Sequence, residues 1–229
     1  KAVHMDITDS LKSLAPRPQK QATFSTYPPS RADQCWVTAK QRLSAVESLL
    51  REFTVAPGLI GRAAAYQIES GGKRWRPLFL LAVGEALNGR PDDFQKMAAA
   101  TELLHNASLV HDDLQDNDTM RRGKKTIWHR FGSETAINLG DFLISSTYLA
   151  LSQLDVPRRD LTRLIAHFAQ ATHQIIAGQT MEIEASRNLG LTIEDYRRIV
   201  RSKSGVLMAL PVVGALMLVQ AIQQIEFLR

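Results

Sequence analysis

An all-α fold is what this sequence predicts. Three observations carry it: from Trp36 onward apolar residues recur at helical spacing, the interruptions are helix-ending punctuation, and no stretch alternates apolar and polar residues between hairpin signals. In the first helix Val37, Leu43, Val46, Leu49, Leu50 and Phe53 describe one face, with Arg42, Glu47 and Arg51 off it. The same pattern predicts helices over 78–87, 97–116, 135–153, 161–179, 193–202 and 206–220. Between them fall Pro57-Gly58, Gly71-Gly72, Asn88-Gly89-Arg90-Pro91, Arg122-Gly123, Gly132-Ser133 and Asn188-Leu189-Gly190. Ahead of Trp36, Pro16, Pro18, Pro28 and Pro29 break any long helix. Residues 1–35 are therefore expected to form an arm or linker, and 36–229 a single helical domain.

Composition narrows the classes. With 45% hydrophobic and 22% charged residues over 229 positions, the chain can bury one sizeable core, which excludes disorder throughout. The 28 Lys and Arg exceed the 23 Asp and Glu by only five, so where the charges sit decides which anion they serve. Cys35 stands alone and cannot close an internal disulfide, which points to a reducing compartment, the cytoplasm, with an organelle as the alternative. The apolar stretch 206–219 falls short of the roughly 20 residues of a bilayer span and reads as a buried helix, so no transmembrane segment is expected.

Three constellations carry chemistry. The first, His111-Asp112-Asp113-Leu114-Gln115-Asp116, ends a strongly apolar helix. Residues four apart share a helix face, so Asp112 and Asp116 project together with Asp113 at their flank. Carboxylates gathered so closely repel unless a cation relieves them, and hard oxygen ligands suit magnesium that also holds phosphates. A solvated acidic helix end is the alternative, although acidic residues at a helix C-terminus oppose the dipole. The second is Gly71-Gly72-Lys73-Arg74-Trp75-Arg76-Pro77, a glycine turn entering a helix with three cations in four residues. Arg76 offers a forked donor and Lys73 a point charge for a diphosphate, against the alternative of a basic surface loop. The third, Arg121-Arg122-Gly123-Lys124-Lys125, follows the aspartates and either pairs with them or completes a polyphosphate site. Because these cations flank carboxylates and no stacking aromatics interleave with them, nucleic acid is not an expected partner.

In this order the three constellations resemble the trans-isoprenyl (polyprenyl) diphosphate synthases, with their GGKRxRP-like segment, first DDxxD motif and following RRG. His105 and Ser108 in HNASLVHDD, Phe131-Gly132, Gly140-Asp141, Gly178-Gln179 and Lys203-Ser204 stand in the succession of that family too. The resemblance spans roughly residues 40 to 225. It implies a helical bundle of the isoprenoid synthase type around a central cavity, magnesium as cofactor, and a homodimer. It also implies condensation of isopentenyl diphosphate with an allylic diphosphate. By the same resemblance Lys73, Arg76 and His105 bind the isopentenyl diphosphate, and Asp112, Asp113 and Asp116 hold magnesium on the allylic one. Arg121 faces the allylic diphosphate and Arg122 the isopentenyl one. Lys203 supports the allylic diphosphate, with Gln179 and Ser204 polar neighbours of the reacting carbon.

Family members with a short farnesyl product place a bulky aromatic four or five residues before the aspartates. Ala107 and Ser108 are small, which implies a product of geranylgeranyl length or longer; close helix packing is the alternative reason for their size. The family's second aspartate-rich motif has no counterpart after Lys203, where Glu226 is the one acidic residue. The domain is therefore expected to lack its C-terminal portion, and the stretch as given to be inactive by itself. A non-catalytic regulatory subunit of a heteromeric synthase and a class I terpene cyclase remain the rival readings.

Overall fold

The computed structural model describes residues 30–187 and 190–227, with side chains as far as Gln223. The bundle is built from α1 (Arg31–Phe53), α2 (Gly58–Glu69), α3 (Trp75–Ala86) and α4 (Pro91–Gln115). A hairpin of β1 (Met120–Arg121) and β2 (Lys124–Lys125) follows, then α5 (Ile127–Phe131), α6 (Ser133–Ser152) and α7 (Arg158–Ala185). Last come α8 (Ile193–Val200), a π-helical turn (Arg201–Gly205) and α9 (Val206–Phe227).

The centre is α4. Met97, Ala98, Ala99, Ala100, Leu103, Leu104, Ala107 and Val110 are all buried, so the helix is enclosed on every side, as a core helix is. It packs on α1, α3, α6 and α9. Each fully buried leucine such as Leu103, Leu80 or Leu139 contributes about 1.5–3 kcal/mol over leaving it in water.

Several boundaries differ from the sequence pattern, each for a physical reason. The helix expected from Trp36 starts at Arg31, with Asp33 in its first turn where the dipole favours an acid; the rest of the expected arm, 1–29, lies outside the described residues. No helix is predicted over 58–69, yet α2 forms there, a 12-residue helix that buries Ala63, Ala64, Gln67 and Ile68, a face carried mostly by small side chains. The expectation of no sheet gives way to one minimal hairpin, in which Met120 faces Lys125 and Arg121 faces Lys124. Arg122 (φ 53°) and Gly123 (φ 75°) are its turn, both left-handed as a type I′ hairpin requires. Asn188 and Leu189, in a predicted break, lie outside the described residues.

The helices expected over 193–202 and 206–220 are continuous, joined by the π turn, and α8 starts on a reciprocal cap in which Thr192 Oγ1 accepts from Asp195 N and Asp195 Oδ2 accepts from Thr192 N, each at 3.1 Å. The union makes 193–223, among the described residues, the one helix long and apolar enough to cross a bilayer by length and composition, where the sequence pattern measured the apolar stretch as too short. Half of its apolar window is buried, against α3, α4 and α7, while Met208, Val212, Val213 and Leu216 face outward.

Candidate active site

Two charged clefts and an apolar cavity converge on the C-terminal half of α4. The first cleft lies where the chain passes from α2 to α3 through Gly71 (φ 79°), Gly72 (φ 148°) and the left-handed Arg74 (φ 49°). Lys73, Arg76, His105 and Arg122 share its wall, a space of about 390 Å³. Trp75 forms its outer side and stacks on Trp36 and on Phe79, each at 5.9 Å. The hairpin delivers Arg122: Lys124 Nζ donates to Glu69 O (3.0 Å), Tyr66 Oη donates to Lys125 O (2.9 Å), and Arg122 Nη1 donates to Gly71 O.

This cleft is crowded with positive charge. Burial, reinforced by Arg122 and partly offset by Glu102, holds Arg76 below its ordinary value, and burial with the charge of Arg74 does the same to Arg122. Arg76 Nε and His105 Nδ1 are buried without a hydrogen-bond partner. Such a cleft suits an anion.

His105 itself is neutral at pH 7, because burial and then the charges of Arg76, Arg122 and Arg121 push it down to about 3. The unfolded chain protonates this histidine near its ordinary 6.5, while the folded chain resists until about 3. Its contribution to stability is therefore intact above pH 6.5 and lost progressively as the pH falls to about 3. Stability of His105→Gln, followed by denaturant unfolding across that window, is expected to fall less steeply with acid than that of the wild type.

The second cleft centres on Lys203 in the π turn. Its Nζ lies 2.5 Å from Glu182 Oε2 and 3.5 Å from Asp112 Oδ2. Burial opposes the charge of Lys203, but the hydrogen bond to Glu182 and the carboxylate of Asp112 outweigh it and raise its pKa. Burial likewise raises Asp112, with Asp116 adding to the effect and Lys203 opposing it. The turn can come this close because of Gly178 on α7: a Cβ there would lie 2.7 Å from Lys203 N and 3.0 Å from Ser202 Cβ.

This second cleft is a groove lined by Arg76, His105, Ser108, Asp112, Lys203 and Ser204; because Arg76 and His105 also line the first cleft, it joins the surroundings of Lys203 to that cleft. Beneath it opens a largely apolar cavity of about 210 Å³. Ala107, Ser108 and Leu104 of α4, Ile144 of α6 and Ile175 of α7 form its wall. Gln179 stands in the same wall, and both atoms of its buried amide lack partners.

Ten of the thirteen residues named from the sequence thus line one of three adjoining spaces, and three do not. Asp113 is buried and accepts from Arg121 Nε at 2.6 Å, so its carboxylate is already paired. Arg121 is occupied by that pair, and Asp116 is exposed at the helix end. Among the described residues no three His, Cys, Asp or Glu side chains gather as a ready metal centre. What remains, Asp112 with Asp116 one turn on, still fits magnesium, which is commonly held by one or two carboxylates with substrate phosphates and water supplying the other oxygens. Two further features have no sequence motif of their own: Glu182 and the buried Arg74–Glu102 pair. Glu182 lies three residues after Gln179, and Glu102 three before His105, so helical spacing was the signal that could have found both.

Residues 57–228 match the sequence model of the polyprenyl synthetase family. The chain is 38% identical over 168 residues to a geranylgeranyl pyrophosphate synthase of Geoglobus acetivorans, covering 72% of this chain and 51% of that protein. It is 36% identical over 173 residues to a farnesyl diphosphate synthase of Geobacillus stearothermophilus, covering 72% and 58%. The solved structure of the Geoglobus acetivorans geranylgeranyl pyrophosphate synthetase superposes with a TM-score of 0.75 at 34% identity, over 79% of this chain and 60% of that one. The chain spans between half and three fifths of the length of these relatives.

Proposed function

From the premise that the chain belongs to the polyprenyl synthetase family, we propose that the protein is a magnesium-dependent trans-prenyltransferase. It condenses isopentenyl diphosphate with an allylic diphosphate to give a product of geranylgeranyl length or longer. The observation that carries this is the groove running from the cations around Arg76 and His105 to the Asp112–Lys203 pair, next to a largely apolar cavity that can take a hydrocarbon chain.

In this reading Lys73, Arg76, His105 and Arg122 hold the isopentenyl diphosphate, with neutral His105 serving as a hydrogen-bond donor and the other three as charges. Asp112 and Asp116 would hold magnesium, joined by Asp113 where Arg121 releases it; when bound, the ion supplies Lewis-acid stabilisation of the leaving diphosphate. Lys203, and Arg121 once freed, offset negative charge as it builds on that diphosphate. The allylic carbon–oxygen bond then ionises, its electron pair leaving with the diphosphate. The double bond of isopentenyl diphosphate, fixed a short distance away, forms the new carbon–carbon bond, and the departed diphosphate takes the proton that restores an alkene. Gln179 and Ser204 set their dipoles toward the cation, and the isoleucines of the cavity keep water from it.

Full-length protein incubated with labelled isopentenyl diphosphate, an allylic diphosphate and magnesium tests the reading. Elongation to twenty carbons or more is expected. A hydrocarbon product would make it a cyclase, and silence relieved only by a second subunit would make it a regulatory partner. The cleft for a second diphosphate at Lys73, Arg76 and His105 favours the synthase over the cyclase. In the same assay Ala107→Tyr, which fills a buried position of the cavity wall, is expected to shorten the product; unchanged length removes Ala107 as its determinant.

A further inference from the structure

Arg74 stands in the chain between Lys73 and Arg76, two of the cations assigned to isopentenyl diphosphate, yet its own side chain is only 4% exposed. A guanidinium carries five N–H donors, and here all five are taken by protein oxygens. Nε donates to Glu47 Oε1 at 2.6 Å. Nη1 donates to Glu102 Oε1 at 2.9 Å and to Gly71 O at 3.2 Å, and Nη2 to Ile68 O at 3.0 Å and Glu47 Oε2 at 3.4 Å. Nothing remains for a diphosphate oxygen.

The acceptors belong to four different places in the fold: Glu47 to α1, Ile68 to α2, Gly71 to the connecting loop and Glu102 to α4. One side chain therefore ties the loop that carries Lys73, and the start of the helix that carries Arg76, to three helices. Gly71 O also accepts from Arg122 Nη1, so the same anchor reaches the third cation of the cleft. Glu102 is the second half of the device. It is 2% exposed and lines the cleft one turn from His105. Asn106 Nδ2 donates to it at 3.3 Å, and Gln67 Nε2 donates to Asn106 Oδ1 at 3.1 Å. Burial pushes the Glu102 carboxyl up, while the charge of Arg74, ahead of those of Arg76 and Arg122, draws it down. Without Arg74, this buried carboxylate would need other donors, and Arg76 and Arg122 are the neighbours able to supply them.

We propose that Arg74, paired with Glu102 and Glu47, is a positioning residue for the isopentenyl diphosphate site: it never touches the substrate, it fixes the loop that carries Lys73, and it keeps Arg76 and Arg122 turned toward the anion by occupying the carboxylate that would otherwise claim them. This rests on the reading of the cleft given above.

The test uses full-length protein and the variants Arg74→Lys, Glu102→Gln and their combination, with melting temperature as the check on folding. Isopentenyl diphosphate is titrated calorimetrically, and KM is measured separately for each substrate. For Arg74→Lys an increase of at least about tenfold in the isopentenyl Kd and KM is expected, with the allylic KM within about twofold of wild type. Adding Glu102→Gln removes the stranded carboxylate, so the double variant is expected to lose less than the two single effects combined. Glu47→Gln, which keeps one acceptor oxygen for Arg74, is the milder substitution should Arg74→Lys not fold, and a selective rise in isopentenyl KM is expected there too. A folded Arg74→Lys with wild-type affinity overturns the inference alone. Equal loss for both substrates overturns it as well, reducing Arg74 to general stability. Wild-type protein that binds no isopentenyl diphosphate overturns the proposed function and this inference with it.

Discussion

Asp112→Asn is expected to lower kcat by about 10²- to 10³-fold, since a metal-assisted site supplies several kcal/mol of charge stabilisation and each 1.36 kcal/mol is a factor of ten. Asp112 is the one aspartate of the motif that both lines the joining groove and pairs with Lys203, at 3.5 Å. Asparagine preserves its volume and removes its charge. Lys203 then keeps Glu182 as its ion-pair partner, and Asp116 is left as the one charged carboxylate of the motif that Arg121 does not hold. The KM for isopentenyl diphosphate is expected to change little, because the cleft around Lys73 and Arg76 does not include Asp112. Initial rates of the full-length protein over a magnesium titration check both statements. Wild-type kcat in the variant would remove Asp112 from the proposed metal site.

Gly178→Ala is the second large effect. The added methyl would sit 2.7 Å from the backbone nitrogen of Lys203 and 3.0 Å from both the carbonyl carbon and Cβ of Ser202. These are mostly backbone atoms, so no side-chain rotation relieves the contact, and α7 and the π turn must separate. That displaces Lys203 from Asp112 and Ser204 from the groove while leaving Lys73 and Arg76, proposed for isopentenyl diphosphate, in place. A misplacement of about 1 Å can cost on the order of 10²-fold in rate, and a kcat loss of that order is expected. Steady-state kinetics with each substrate varied in turn would reveal it; a comparable loss confined to isopentenyl KM would show that the π turn serves another purpose.

The long helices were legible because burial in a bundle leaves its mark on sequence: α6 turns Leu139 and Leu143 inward and α7 Leu164, Phe168 and Ile175, at helical spacing, while α4 is apolar over most of its surface. In α2 the inward residues are Ala63, Ala64, Gln67 and Ile68, so a short helix with one large apolar side chain on its buried face passed unmarked. The hairpin at 120–125 is held by Tyr66, Glu69 and Gly71, contacts more than fifty residues away that no local pattern encodes. The site divides along the same line. Asp112 and His105 were visible as members of one helix, and the glycine turn announced Lys73 and Arg76. The pairing of Asp113 with Arg121 depends on how the chain reverses between α4 and β1, and the contact of Lys203 with Asp112 spans 91 positions, so both belong to tertiary structure alone.

The stacked Trp36, Trp75 and Phe79 give the cleft around Lys73 and Arg76 its own optical reporter. Trp75 is 46% exposed in the cleft wall and touches Trp36 at 5.9 Å, so two of the three tryptophans in the chain sit at one site. The third, Trp128, is held apart on α5 with its indole N–H on Asp118 O. Intrinsic emission is thus weighted toward the place where the first diphosphate is proposed to enter, and occupancy there can be followed in unlabelled protein, without turnover, as a change in fluorescence.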